Sequence, residues 1–256
     1  MQTIVLATQK GGSGKSTLAI SLALAATRAG HAVRLIETDA QGTLSNWQRR
    51  RPYADPVVEP IYAAREVEQR LQSLGREGVT LTIVDTAAGV SAATVSAIRY
   101  ADFCLIPTRP SIADIEATAA TLSVIRAWQK PFAYVMNQTP IRSAARLAYA
   151  ENAVGDEAAL DAADIVARPL IVMRNDYQDA LSAGLAVCEF APGGKSAEEI
   201  RSLWQWVETR LGNGAEAYDE PVIDEVVEAP AILPAMAALT PIQYDGASFL
   251  RAPAQR

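Results

Sequence analysis

The chain alternates between short apolar runs and longer segments in which apolar residues recur every three or four positions. The short runs predict β-strands, and the longer segments predict α-helices. Because alternating strands and helices are joined by right-handed crossovers, the pattern predicts an α/β fold with a mostly parallel, twisted sheet and helices on both faces. The predicted strands are 3–7, 33–37, 57–62, 79–84, 103–106 and 132–136, and the predicted helices are 16–29, 65–74, 92–100, 112–128, 143–154 and 196–210.

The pattern changes twice near the end of the chain. The apolar run 165–173 indicates a further strand, which Pro169 interrupts. From residue 212 onward the chain is rich in proline, alanine and acidic residues, a composition typical of a flexible tail. We therefore expect a domain over 1–211 and a tail over 212–256, which serves either as an unstructured linker or as a carrier of short partner-binding segments.

Composition and charge narrow the class of protein. Half of the 256 residues are hydrophobic, which is enough for a large core. No apolar run reaches the length of about 18 residues that a membrane-spanning helix needs, and the N-terminus lacks the pattern of a signal peptide. We therefore expect a cytoplasmic protein without a membrane partner. The residues from 213 onward, with seven acidic residues and two arginines, carry −5 of the net charge of −6, so DNA binding would depend on a local basic patch.

The cysteine and histidine content disfavours several kinds of chemistry. Cys104 and Cys188 lie far apart in apolar surroundings, which predicts buried free thiols rather than a disulfide or a metal site. His31 is the only histidine and follows a glycine in a turn, so we expect it at the surface. Zinc chemistry and a Ser-His-Asp arrangement are therefore poorly supported.

The stretch Gln9–Thr17 joins the first predicted strand to the first predicted helix and contains three glycines and two lysines. Small residues let a backbone curl so that several N–H groups point at one anion, and the helix N-terminus adds positive potential. Lys15 would reach the β- and γ-phosphates of a nucleotide, and the Ser16 hydroxyl would bind Mg²⁺. The alternative, a glycine-rich turn formed by chance, is disfavoured by the strand and helix on either side.

Two carboxylates follow later strands, at the edge of the sheet where ligands of such folds bind. Asp39 comes after the second strand, where a carboxylate can orient a water for attack on the γ-phosphate and lie near the metal. Asp85 ends the apolar run Leu81–Asp85 and would hold Mg²⁺ directly or through a water. Because aspartate is also common in turns and at strand ends, each signal gains weight only beside the phosphate loop.

The sequence K-G-G-x-G-K-[ST]-T at Lys10–Thr17, with Gln9 in place of the usual first glycine, resembles the deviant Walker A motif of the ParA/MinD family of dimerising ATPases. The resemblance implies the P-loop NTPase fold, ATP with Mg²⁺, and an ATP-dependent homodimer. In that dimer Lys10 would cross the interface to the second nucleotide, and Lys10 and Lys15 would stabilise transition-state charge. The residues expected to contact the nucleotide are Lys10, Gly11, Gly12, Ser13, Gly14, Lys15, Ser16 and Thr17.

Further segments match the family position by position. Glu37–Gly42 resembles the D-x-D-P-Q-G element of switch I, which makes Asp39 the catalytic carboxylate and a residue of the metal site. Asp85 matches the Walker B aspartate, and the four residues after it would form switch II. Pro107–Asp114 resembles an element near the dimer interface, but a strand-to-helix turn capped by Ser111 explains the same residues.

Asn137 follows the last predicted strand, and its amide offers both a donor and an acceptor, which suits an adenine edge. The resemblance places an adenine-contacting asparagine here, and a turn-forming asparagine is the alternative. The segment 173–184 resembles the family's late region beside the base and the dimer contact.

The run Arg49–Arg51 is the densest positive cluster in the chain. Short charge runs are usually solvated, and contact with DNA phosphates is the other interpretation. Further candidates for DNA contact are Arg142, Arg146, Arg174, Lys195 and Arg201.

The resemblance implies a small ParA-like ATPase. ATP would form a sandwich dimer that binds DNA without base readout, and a ParB-like or cargo adaptor protein would stimulate slow hydrolysis. The cycle would position a plasmid, a chromosome region or a protein cargo, with the ATP-bound protein on the nucleoid. The alternatives are a MinD-like membrane-associated positioning ATPase, which the acidic, proline-broken tail disfavours, a metabolic ligase of the dethiobiotin synthetase type, and an electron carrier like the nitrogenase iron protein.

Overall fold

One sheet of six parallel strands organises the part of the chain that the structure describes. The computed structural model describes the backbone of residues 1–141 and 144–214, and the side chains of residues 144–146, 213 and 214 fall outside that description. The strands are β1 Gln2–Leu6, β2 Val33–Glu37, β3 Val57–Pro60, β4 Leu81–Asp85, β5 Phe103–Thr108 and β6 Phe132–Met136. Their order is β3-β2-β4-β1-β5-β6, so β1 lies between β4 and β5.

Helices connect the strands and cover both faces of the sheet. A short 3₁₀ turn, Gly75–Glu77, also precedes β4. The helices are α1 Lys15–Arg28, α2 Thr43–Arg50, α3 Ala64–Leu74, α4 Ala92–Arg99, α5 Ile112–Glu116, α6 Ala119–Ala127, α7 Ala144–Ala158, α8 Ala162–Ile165, α9 Asp176–Ser182, α10 Val187–Phe190 and α11 Lys195–Gly214.

The chain divides into two units, Met1–Tyr218 and Asp219–Arg256. The second unit lies outside the described residues, so the tail over 212–256 and the domain boundary after residue 211 stay predictions. Among the described residues, none of the helices combines the length and the apolar character that crossing a membrane requires.

Alternate residues of each strand face opposite sides of the sheet and contribute to two separate cores. In β1, Ile4 and Leu6 belong to the core that α1, α2 and α11 cover. Val5 and Ala7 belong to the core that α3, α4, α6 and α7 cover. Because both faces are buried, the central strands are mostly apolar. The α/β fold with a parallel sheet is confirmed.

The predicted helix 112–128 is two helices, α5 and α6, which meet at Ala117 and Thr118. The Thr118 hydroxyl donates to the Ile115 carbonyl at 2.6 Å and lies 3.1 Å from the Tyr134 hydroxyl. A threonine that binds the backbone in this way competes with regular helical bonding. The buried contact with Tyr134 fixes the break against β6.

The predicted strand over 165–173 is wrong. After α8 the chain makes only single parallel bridges, Val166 with Tyr134 and Val172 with Thr139, within the described residues. Pro169 lies between the bridges and has no N–H to donate, so it interrupts a ladder with β6. The segment nevertheless runs along β6 and brings residues 172–178 next to the loop that follows β1.

Helix α2, which the sequence pattern did not predict, is fixed at its C-terminal end by Arg51. This side chain is only 2% exposed and makes a two-point ion pair with Glu189, with both N–O distances at 2.8 Å. Its guanidinium also lies 4.8 Å from the centre of the Trp47 ring. The solvated interpretation is therefore wrong for Arg51, whereas Arg49 and Arg50 are exposed.

Gly184 allows the turn between α9 and α10 to pack directly on the end of α2. Its φ is +71°, and a Cβ at this position would lie 2.5 Å from the carbonyl carbon and oxygen of Arg50. We expect Gly184→Ala to lower the free energy of unfolding by about 2–4 kcal/mol, because the added methyl group meets backbone atoms and alanine disfavours positive φ. Urea titration followed by circular dichroism measures the change.

Gly212→Ala in α11 is the control for this substitution. A Cβ there meets nothing within 4 Å, and alanine is favoured over glycine in helices by about 1 kcal/mol. We expect an unchanged or slightly raised stability. An equal loss in the two variants would contradict the close packing assigned to Gly184.

Candidate functional site

The loop of residues 9–14 joins the end of β1 to the start of α1. Gly14 takes the cap position of α1 with a φ of 91°, and α1 begins at Lys15. A larger residue would be strained there, and its Cβ would lie 2.2 Å from Asn137 Nδ2. The N-terminus of this 14-residue helix therefore opens directly onto the loop, as a phosphate site requires.

Asn137 and Gln138, directly after β6, hold this loop in place. Asn137 Nδ2 donates to the Ser13 carbonyl at 2.8 Å, and Gln138 Nε2 donates to the Gly12 carbonyl at 2.8 Å. Asn137 Oδ1 accepts the Gln138 N–H at 2.8 Å, which sets the orientation of the amide. These bonds satisfy the carbonyl oxygens of the loop, so its N–H groups can be directed at an anion.

The contact between Asn137 and adenine stays a prediction. Asn137 is buried and braces the loop, but it also lines a cavity of about 150 Å³ beside the loop. Arg174 and Tyr177 line the same cavity, and both belong to the segment that the sequence resemblance places beside the base. The contact of Gln138 with the loop was not predicted from the sequence, and the position of Gln138 directly after Asn137 at a strand end was the available signal.

Lys15 is the buried positive charge of the site, with only 7% of the residue exposed. Burial lowers the pKa of Lys15, and the carboxylates of Asp85 and Asp39 act in the opposite direction. The carboxylates of Asp85 and Asp39 both act on the Lys15 ammonium group, so the three predicted residues lie near one another in the structure. They meet at the carboxyl edge of the sheet, where β2 and β4 end.

Asp85 is completely buried at the end of β4, and neither carboxylate oxygen has a hydrogen-bond donor within 3.5 Å in the described part of the chain, although the Ser16 hydroxyl lies near enough to favour the ionised carboxylate. Burial raises the pKa of Asp85 to about 7, and the nearby Ser16 and Lys15 act in the opposite direction. Buried polar atoms without partners are costly, and carboxylate oxygens are ligands that Mg²⁺ prefers. Asp85 and the neighbouring Ser16 hydroxyl therefore fit a Mg²⁺ site.

Asp39 is half-buried in the turn after β2. Its Oδ1 accepts the Gln41 N–H at 3.0 Å, and its carbonyl accepts the Gly42 N–H at 3.1 Å. The turn keeps its carboxylate within electrostatic reach of both Lys15 and Asp85. A role for Asp39 in hydrolysis and in the metal site stays a prediction that this position supports.

Lys10 and the segment Pro107–Asp114 lie near one another at the rim of the site. Burial acts to raise the pKa of Asp114, but hydrogen bonds from Arg109 and Ser111, and the charge of Lys10, hold it below its usual range. Ser111 Oγ accepts the Asp114 N–H at 3.3 Å and caps α5, so the capping interpretation is confirmed. The role of this segment at a dimer interface stays a prediction.

The cysteines and the histidine lie away from this cluster. Cys104 and Cys188 are free and buried, as predicted, and burial raises the pKa of both thiols, to about 12 for Cys104. His31, which we expected at the surface, is half-buried, with its Nε2 3.2 Å from Glu208 and its ring edge-on to Trp204. Its contacts hold the start of β2 against α11 and give it a structural role.

Comparison with known proteins identifies one family over most of the chain. Residues 4–189 match the model of the CobQ/CobB/MinD/ParA nucleotide binding domain. The chain is 28% identical over 210 residues to the maintenance of carboxysome distribution protein A of Halothiobacillus neapolitanus, a match that spans 78% of this chain and 94% of that protein.

Solved structures show the same fold. The ATP complex of a McdA variant from Cyanothece matches with a TM-score of 0.65 and 17% identity, over 89% of this chain and 99% of that chain. MinD from Pyrococcus horikoshii, complexed with Mg-ADP, matches with a TM-score of 0.64 and 16% identity, over 84% and 99% of the two chains. The P-loop NTPase fold that the sequence predicted is confirmed.

The raised pKa of Asp85 predicts a pH-dependent stability for the protein without nucleotide and metal. Ionisation of this carboxyl is disfavoured in the folded chain, so its contribution to stability is greatest below the ordinary pKa of 3.8 and is lost as the pH rises towards about 7. We expect Asp85→Asn to flatten this dependence and to raise the free energy of unfolding at about pH 8 by about 2–4 kcal/mol. Urea titrations in EDTA across this pH range measure the effect.

Asp179→Asn is the control, because Asp179 is exposed on α9 and has no part in raising the pKa of Asp85, and we expect this variant to keep the pH dependence of the wild type. Adding Mg²⁺ and ATP is expected to reverse the order, since the wild-type carboxylate gains a ligand that asparagine holds less well. A pH dependence that persists unchanged in Asp85→Asn would contradict its assignment to this carboxyl.

Proposed function

This chain belongs to the CobQ/CobB/MinD/ParA family of nucleotide-binding domains, and from this premise we propose that it is a slow, partner-stimulated ATPase of the ParA type. ATP forms a homodimer that binds DNA without sequence preference, and hydrolysis releases the subunits. A ParB-like or cargo adaptor protein accelerates hydrolysis. Through this cycle the protein positions a plasmid, a chromosome region or a protein cargo.

The contrast between the two lysines of the phosphate loop carries this proposal. Lys15 is buried among carboxylates of its own chain, where it can reach a nucleotide bound on the same loop. Lys10 is exposed at the rim and makes no ion pair within the described residues. A lysine that lies beside a phosphate site without an ion pair in the described part of its own chain can reach a nucleotide on a second copy, which is what a two-fold dimer requires.

The buried cluster supports hydrolysis through separate roles for its members. The N-terminus of α1 and Lys15 bind the β- and γ-phosphates. Ser16 and Asp85 would hold Mg²⁺, which supplies neutralising charge at the phosphate oxygens when it is bound. Asp39 orients the attacking water, and Lys10 of the second copy adds positive charge as the bond to ADP breaks.

Exposed basic side chains, rather than the net charge, support the DNA-binding part of the proposal. Arg49 and Arg50 are exposed on α2, whereas Arg51 is buried against Glu189 and is removed from the candidates. Arg174 is paired with Glu199 at 2.7 Å. Dimerisation doubles any local patch, which raises its attraction for a polyanion. Lys195 and Arg201 are exposed, and the side chains of Arg142 and Arg146 lie outside the description.

Similarity to the maintenance of carboxysome distribution protein A supports a protein assembly as one class of cargo. That name describes the other protein, and for this chain a plasmid or chromosome region fits the same mechanism. In each case the ATP-bound dimer is held on the nucleoid in the cytoplasm and the ADP form diffuses.

DNA binding measured with ATP, with ADP and without nucleotide tests the proposal. We expect the wild type to bind DNA only with ATP and to lose affinity at higher salt, because phosphate contacts release counterions. Lys10→Ala is expected to lose dimerisation and DNA binding. Asp39→Ala is expected to keep ATP-dependent DNA binding while its hydrolysis falls about 100-fold or more.

Lys130→Ala is the control for Lys10→Ala, because Lys130 precedes β6 at the opposite edge of the sheet. We expect this variant to dimerise and bind DNA as the wild type does. Equal DNA binding in all nucleotide states would overturn the switch mechanism. If the protein dimerises with ATP but does not bind DNA, the dimer would instead be held on a protein or membrane surface.

A further inference from the structure

Helix α2 begins without a cap of its own, and Glu37 supplies one from the end of β2. The residue at the cap position is Gly42, which has no side chain to bind the first N–H groups of the helix. Glu37 Oε1 accepts the Leu44 N–H at 2.6 Å, and Oε2 accepts the Ser45 N–H at 3.2 Å and also the Ser45 hydroxyl. Both carboxylate oxygens are therefore used at the N-terminus of α2.

Burial makes this contact stronger than a surface cap. Glu37 is 0% exposed, so its charge needs compensation from within the protein. The free N–H groups and the dipole of α2 provide that compensation, and hydrogen bonds to an ionised acceptor are stronger than neutral ones. The residue therefore fixes the start of α2 to the end of β2.

The contact between Glu37 and Leu44 joins the two ends of the segment 37–44, so that this segment forms a closed ring that contains the Asp39 turn. Glu37 is the last residue of β2, and its side chain returns to bind the amide of Leu44, seven residues later. Asp39 lies inside the ring, where its own bonds to Gln41 and Gly42 shape the turn. The Thr38 N–H donates to the Asp85 carbonyl at 2.9 Å, which ties the ring to the end of β4.

The other end of α2 is fixed independently. The Trp47 indole N–H donates to the Leu185 carbonyl at 3.2 Å, and Arg51 is paired with Glu189. α2 is thus attached to the α9–α10 segment whether or not Glu37 is present. The specific effect of Glu37 is to hold the Asp39 turn against this fixed helix.

We propose that Glu37 is a positioning residue for ATP hydrolysis, which acts by holding the turn that carries Asp39 in its productive position. This inference rests on the proposed ATPase function and on the assignment of the attacking-water role to Asp39. The γ-phosphate itself is bound by other residues, so Glu37 affects the hydrolytic step and leaves ATP binding largely unchanged. A misplaced water-orienting group lowers the rate steeply, because the geometry of attack is narrow.

Glu37→Gln tests this role while keeping the size of the side chain. Each carboxylate oxygen of Glu37 accepts one backbone N–H, and glutamine replaces one of these oxygens by an NH₂ group that cannot accept, so one of the two backbone bonds is lost. We expect kcat to fall about 10-fold or more with the KM for ATP changed less than about 3-fold. A kcat within about 2-fold of the wild type would overturn the proposal.

A double variant shows whether Glu37 acts through Asp39. If it does, Glu37→Gln has no further effect on the hydrolysis rate once Asp39→Ala is present. An additional loss in the double variant, as large as in the single one, would mean that Glu37 acts by another route. Trp47→Phe is the matched control, since it removes one hydrogen bond at the other end of α2. We expect it to lower the melting temperature and leave kcat unchanged.

Amide hydrogen exchange separates this inference from the proposed function. The Leu44 and Ser45 amides donate to different oxygens of Glu37 and glutamine keeps one of these acceptors, so the protection of at least one of the two amides is expected to fall about 10-fold or more in Glu37→Gln relative to amides of α11. Retained protection of both amides would overturn the inference whatever the enzyme activity. If the wild type has no ATPase activity, the proposed function is overturned. Amide exchange at Leu44 and Ser45 would still show whether Glu37 caps α2.

Discussion

The phosphate loop can direct its N–H groups at an anion only if its own carbonyl oxygens find partners on the other side. Asn137 and Gln138 provide those partners from the end of β6. Because the strand order is β1-β5-β6, this brace reaches across the end of β5. Gly14 makes the approach close enough, since a Cβ there would meet the Asn137 amide. The position of Lys15, the first residue of α1, follows from this arrangement.

The two sides of β1 contribute different chemistry to the site. Towards β6 the polar groups are amides, and they hold the backbone of the loop. Towards β4 and β2 they are the carboxylates of Asp85, Asp39 and Glu37, which end or follow those strands. Lys15 lies between the two groups and its charge partly compensates the buried carboxylate of Asp85. The sheet order, rather than any single loop, therefore places the amides that hold the loop on one side of β1 and the carboxylates on the other.

Local signals predicted most of the fold, and long-range contacts explain what they missed. The six strands and the phosphate loop were predictable because their apolar runs and glycines lie within a few residues of one another. The break between α5 and α6 depends on the contact of Thr118 with Tyr134 in another element. The burial of Arg51 depends on Glu189, 138 residues later, which made a solvated run the simpler interpretation. In the segment 165–173, Pro169 argued against a strand because proline cannot donate a ladder hydrogen bond, but the prediction followed the apolar composition.

The burial of Arg51 also limits how salt acts on any complex with DNA that uses this cluster. Each phosphate neutralised by a lysine or arginine contributes about −0.9 to the slope of log affinity against log salt concentration. Arg51 keeps its guanidinium on Glu189 and exchanges no counterion with solvent. Only two of the three arginines can therefore neutralise DNA phosphates, and a protomer that binds DNA through Arg49 and Arg50 would take a contribution of about −1.8 to this slope from them.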